Sequence, residues 1–215
     1  MGIIAQYLRV SEDELTLYQA KSVFLERRME TRNDDAEHWL DIDKVWDGII
    51  YLLTGNGLEK ASGKLLRVII GTRYIDERLD FGCGPAHYLE SDEVQDLYEE
   101  LSKWDKTKLH ERFDAPHMRT LGILPANWGD DDAFEYLFDY FMKIKAFFHK
   151  AAINHEAIVG VMSSEQEPEE QKSVPFLKQC LKVFSGPIVE NVVMSLTFLA
   201  AGNIAWQIGQ FWALG

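Results

Sequence analysis

The chain has 215 residues, with 35 acidic side chains against 22 basic ones and a formal charge of −13 at pH 7. That balance excludes a protein that coats nucleic acid, because phosphate binding needs clustered Lys and Arg; it suits a basic protein partner, or plain solubility. The hydrophobic content of 47%, with 12 Phe, 6 Trp and 8 Tyr, is enough for one cored domain with an appendage.

MGIIAQYLRV reads as a first strand, β-branched and aromatic, with Ser11 after it as a helix cap. Residues 11 to 32 follow as one helix, acidic in its first turn and ending on Arg27, Arg28 and Arg32, as the helix dipole prefers. The next stretch, LDIDKVWDGIIYLLTG, predicts a helix capped by Asp41. Ile42, Val45, Trp46, Ile49, Ile50 and Leu53 recur at the spacing of one buried stripe, and Gly55 is placed to stop it. LLRVIIGTRYI is a second strand candidate, and FGCGPAHYL is a tight turn leading into a short extended piece. Ser91 is expected to cap one helix and Asp105 the next, and Pro116 to break the chain after that. Asp130 or Asp131 opens a long helix with the stripe Phe134, Leu137, Phe138, Phe141, Ile144 and Phe148, and Asn154 and His155 end it. AIVGVMS is a third strand.

From 164 the composition changes. Residues 164–173 read as an acidic linker without apolar period, and 174–215 as a hydrophobic helical tail that carries no charge from Asn191 on. Twenty-five uncharged residues are long enough for a membrane helix, which needs about 20. Against insertion stand Asn191, Ser195, Asn203, Gln207 and Gln210, a stripe of polar groups better satisfied by docking on protein. The expectation is docking, with inner-membrane association through 191–215 as the alternative. The N-terminal stretch lacks the basic start and apolar run of a signal peptide. Cys83 and Cys180 have no metal-like spacing, so a reduced, cytoplasmic setting is expected.

Six segments in this order carry a resemblance: MGIIAQYLRV, LDIDKVWDGIIYLLTG, GPAHYLESDEV, LHERFDAPHM, ILPANW and AFFHKAAINHEAIVGV. Through them residues 1 to about 163 resemble the YfbM-like family, a bacterial family of unknown function. The resemblance implies an α+β fold: a small mixed sheet built from both ends of the domain and packed with several helices. It brings no catalytic set, and the tail beyond 163 is an addition to the family's short form.

The polar side of LDIDKVWDGIIYLLTG carries Asp43, Asp47, Tyr51 and Thr54 in one line. Paired carboxylates divide acid and base roles when one is desolvated. The simpler reading is a solvated face with Lys44 neutralising Asp47, so that removing both carboxylates leaves stability unchanged or slightly raised. GCGPAHYL lacks the Lys-Ser/Thr of a phosphate loop, but His87 and Tyr88 are placed to project beside that turn. His110, Asp114 and His117 have zinc-like spacing only on an unbroken helix, which Pro116 forbids. No nucleophile motif of the GxSxG kind occurs, and Cys83 has no positioned His.

Three function classes remain: a binding protein, an enzyme using the Asp43/Asp47 row, and a membrane-tethered structural subunit. The expectation is the first: a non-catalytic immunity protein that neutralises an antibacterial toxin by direct binding, with no cofactor and no metal. A basic nuclease fits the charge best. The partner-binding residues expected are Asp43, Asp47, Tyr51, Thr54, His87 and Tyr88, and a homo-oligomer is a further partner considered.

Overall fold

A computed structural model describes residues 2–31, 35–125 and 127–164. Apart from Ser164, the expected linker (164–173) and tail (174–215) lie outside the described residues. The fold is α+β. Strand β5 (Ala157–Ser164) lies at the centre of a five-stranded sheet beside β1 (Ile3–Val10), and β2 (Trp39–Asp41), β3 (Arg73–Tyr74) and β4 (His87–Leu89) complete the order β2-β1-β5-β4-β3. The first and last strands therefore share a sheet, as their patterns predict, and they pair over eight residues from Ile3↔Ser164 to Val10↔Ala157. The sheet is antiparallel at every described pairing, not mixed. Each connection between successive paired strands leaves and re-enters the sheet at one end, so the returning strand runs the other way.

Both faces of the sheet are covered, which is why its long strands read as nearly continuous apolar runs. Ile3, Ala5 and Tyr7 of β1, with Ile158 and Met162 of β5, face the larger core. That core is closed by α3 (Trp46–Thr54), α4 (Ser91–Ser102), α5 (Lys106–Arg112), α6 (Ala115–Leu121) and α7 (Ala133–Asn154). The alternate residues Leu8, Val10, Ala157, Val159 and Val161 face a smaller core under α1 (Glu12–Ala20) and α2 (Val23–Glu30). The expected α7 stripe is buried except for Phe138, which is only partly covered, and Leu137 and Phe141 are fully enclosed. Gly48 lets α3 approach α7: a Cβ there would stand 2.8 Å from both Leu137 Cδ2 and Trp128 Cη2.

Several boundaries differ from the sequence reading. Ser11 caps α1 with a full capping box, but the chain breaks at Lys21, so the expected single helix is two. At the break Ser22 turns its hydroxyl to Asp76, 2.9 Å away. Asp41 is not a helix cap. It ends β2, accepts from Gln6 Nε2 at 2.7 Å and from the Asp43 N–H at 2.7 Å, and so shapes a turn. Asp43 adopts a left-handed φ of 51° in a short 3-10 turn before α3. Gly55 does stop α3, at φ 80°. Within LLRVIIGTRYI, the first four residues belong to the 3-10 turn Lys64–Val68 and Arg73–Tyr74 alone is strand. Glu90, not Ser91, caps α4. Asp105 caps α5 as expected, and Pro116, rather than ending structure, sits in the first turn of α6. Asp132 precedes α7, and His155 ends it in a left-handed conformation.

Candidate functional site

The polar row does not survive as a row. Only Asp47, Tyr51 and Thr54 lie on α3, and each is engaged separately. Asp47 is 6% exposed. Its carboxylate accepts the backbone N–H of Leu124 at 3.0 Å and that of Leu58 at 3.4 Å, tying two loops to the helix. Burial raises its pKa, while those two N–H donors act in the opposite sense. Tyr51 is 3% exposed, and its hydroxyl reaches His117 Nδ1 at 3.0 Å. Burial raises the Tyr51 pKa too, Asp114 adds to the effect and Arg112 opposes it, so the phenol stays protonated. Thr54 bonds the carbonyls of Ile50 and Asn56. The solvated-face reading is thereby corrected. Asp47 takes the place of water for two loop N–H groups, while Tyr51 and Thr54 are engaged by His117 and by nearby carbonyls.

Asp47→Asn is accordingly expected to destabilise the fold, by about 1–3 kcal/mol. The amide keeps one acceptor and presents an NH₂ group to the second backbone donor. A urea midpoint lowered at constant slope is the reading; an unchanged midpoint would return Asp47 to the surface.

His87 and Tyr88 face opposite sides of the sheet, as adjacent strand residues must. Tyr88 packs on the smaller core, with the Arg73 guanidinium 4.8 Å from its ring centre. His87 is buried in the sheet opposite Gly160. A Cβ at Gly160 would stand 2.2 Å from its Nε2, and one at Gly71 2.8 Å from its Cδ2, so the ring requires both glycines. Its Nδ1 has no hydrogen-bond partner. Burial pulls its pKa down to about 4, against a hydrogen bond with the Ile69 carbonyl. The same carbonyl accepts the Tyr7 hydroxyl at 3.0 Å. His87 thus lines no cleft beside the GCGP turn. That turn is closed by Asp80, whose Oδ1 accepts from Gly82 at 2.7 Å and Gly84 at 2.8 Å, and Cys83 is buried.

His110, Asp114 and His117 go separate ways. His110 packs edge-on against Phe134, Asp114 caps α6, and His117 meets Tyr51. Among the described residues the one set with metal-like spacing is Glu90, Asp92 and Glu93. Arg73 binds Glu90 at 2.7 Å, and both Arg67 and Arg73 hold Glu93, so guanidinium groups already neutralise that cluster.

Asp43 leads to groups that the sequence reading left out. Its Oδ2 accepts the hydroxyl of Tyr136, on the outer face of α7, at 3.1 Å. Tyr136 stacks edge-on with Tyr140, 5.1 Å between ring centres, and the Lys143 ammonium stands 4.1 Å over the Tyr140 ring. Asp131, Asp132, Glu135 and Asp139, close to them in the chain, are exposed. The signal was present in DDDAFEYLFDYF: tyrosines off the buried stripe, spaced four apart, inside an acidic run.

A family model described as a domain of unknown function (DUF1877) matches residues 1–161. Among solved structures, a protein of unknown function, YfbM from Escherichia coli, matches with a TM-score of 0.56 at 17% identity, covering 74% of this chain and 99% of that one. At that identity the likeness is one of fold. No curated protein matches the chain. No helix among the described residues is long and apolar enough to cross a membrane.

Proposed function

The chain belongs to the DUF1877 family, and from that premise, which supplies a fold and no chemistry, we propose that it is a non-catalytic binding protein. Its role in this reading is that of an immunity protein: it binds an antibacterial toxin delivered by sibling cells and blocks it. The observation that carries the reading is electrostatic. A charge of −13 on 215 residues raises the local concentration of a basic partner and mimics the phosphates that a nuclease toxin engages. Asp47, Tyr51 and His87 serve the fold, which leaves Asp43, bonded to the exposed Tyr136 on a helix surface, as the expected binding residue nearest a free face. In the same proposal the domain works in the cytoplasm, and residues 191–215 dock on protein rather than enter the inner membrane.

The test is to ask whether a toxin gene neighbours this one, to co-express its product with this chain, and to measure the binding kinetics. Cells carrying both are expected to survive. The association rate is expected to fall by about tenfold or more between low and high salt, with dissociation changing less. Cells that die despite co-expression remove the immunity reading, and a salt-independent association rate removes its electrostatic basis.

A further inference from the structure

We propose that the outer face of the first half of α7 is the docking surface for a lysine- or arginine-rich segment of a protein partner. Tyr136 and Tyr140 are its aromatic anchors, and Asp131, Asp132 and Asp139 are its anionic rim. The inference rests on the binding reading above and deepens it by naming the face.

The helix is two-sided. Phe134, Leu137, Phe141, Ile144 and Phe148 bury one stripe in the core. On the other side Tyr136 is 41% exposed and Met142 45% exposed, large side chains that the core does not cover. Tyr and Met are enriched at interfaces, where rigid amphipathic rings give contact area at little entropic cost. Tyr136 is already held, because its hydroxyl donates to Asp43 and its ring abuts Tyr140. Little freedom is left to lose on docking.

Charge settles the kind of partner. The face already takes cations from its own chain: Lys143 lies over the Tyr140 ring, and Lys106 pairs with Glu135 at 2.7 Å while standing 5.1 Å over Phe138. The first contact shows that a tyrosine here accepts an ammonium on its face, in the geometry that gives cation–π attraction. Asp131, Asp132 and Asp139 form no ion pair among the described residues. A basic segment laid along the helix supplies the missing cations and covers Tyr136 and Met142. An acidic or neutral segment supplies neither charge nor cation–π contact.

The probe is a fluorescent ten-residue polylysine peptide, titrated with the full chain at low salt and read by anisotropy. Tyr136→Ala, and separately the triple Asp131→Asn, Asp132→Asn, Asp139→Asn, are expected to weaken binding about tenfold, the size of an interface hot spot. Tyr136→Phe keeps the ring and should stay within about threefold. So should a control triple of equal charge change on other surfaces, Asp13→Asn, Glu99→Gln, Glu111→Gln. Equal weakening by the two triples, or no binding by the full chain, overturns the inference. Thermal melts of all variants identify any that fail to fold, and the conservative Tyr136→Phe keeps the ring testable if Tyr136→Ala is among them. The peptide assay contains no toxin, so the two readings fail separately. Peptide binding through α7 without protection of cells overturns the immunity role and leaves the face standing. Protection that survives both α7 variants overturns the face alone.

Discussion

Arg9→Met is expected to lower the unfolding free energy by roughly 3 kcal/mol, the low end of what breaking a buried ion pair costs. Arg9 belongs to β1, on the face that meets α7, and its side chain is 1% exposed. One guanidinium nitrogen donates to Glu156 Oε2 at 2.8 Å, and the other donates to the Glu37 carbonyl at 3.0 Å. The group also lies 5.6 Å over the Phe147 ring. One side chain therefore joins the end of β1, the 3-10 turn Ala36–His38 and the residue before β5. Methionine replaces the stem but leaves Glu156 without its cation and a carbonyl without its donor. Glu156 keeps 16% of its side chain in water, which is why the low end of the range applies. Adding Glu156→Gln should restore part of the loss, since the uncompensated charge is then gone. Urea unfolding of the two single variants and the double variant reads all of this. A loss below about 1 kcal/mol for Arg9→Met would reduce the pair to a surface contact.

Acid is expected to remove a further roughly 3 kcal/mol through His87 alone. Its folded pKa of about 4 lies below the ordinary histidine value of 6.5. The unfolded chain therefore takes up a proton between those values while the folded chain does not. The stabilisation is fully present above pH 6.5 and is lost as pH falls towards 4. Tyr7, whose ring packs edge-on against the imidazole at 6.3 Å, is kept neutral by its own burial and offers the imidazolium no counter-charge. Glu93, whose pKa is lowered by Arg67, by the Glu90 N–H and by Arg73 against the effect of burial, loses its stabilisation only below the usual carboxylate range. Asp47 runs the other way: its raised pKa gives stability that is lost as pH rises through it. The His87→Gln variant isolates the imidazole. Its stability curve should be flatter than that of the parent between pH 6.5 and 5, and parallel slopes there would refute the assignment.

The parts legible in the sequence are those decided locally or by period. β1 and β5 follow from β-branched runs, the long helix from its apolar stripe, and the ends of α1 and α3 from Ser11 and Gly55. What was missed depends on partners distant in the chain. Trp39–Asp41 becomes strand because it pairs with Gln6–Leu8, and nothing within LDIDKVWD announces that. The run LLRVII has strand composition, yet Val68 and Ile69 plug the core and the Ile69 carbonyl is needed by Tyr7. The polar row differs from its expected exposure for a related reason. Periodicity places Asp47 and Tyr51 off the apolar stripe, but it cannot show that loops from residues 58 and 124 and helix α6 arrive to cover them. A polar residue off the stripe is exposed only if nothing else needs its hydrogen bonds.

The pairing of β1 with β5 also has a consequence for how the domain comes into being. The first of the described strands finds its longest partner in the last of them, and Arg9 waits 147 residues for Glu156. At about 5–20 residues per second, translation leaves β1 without that neighbour for several seconds or more. Through that interval the apolar IIAQYLRV has an open edge, the kind of segment that pairs with the wrong chain. Closing so long a loop makes for slow folding. The central ladder is thus a late event on the ribosome, and the nascent chain is most vulnerable to aggregation until residue 164 has emerged.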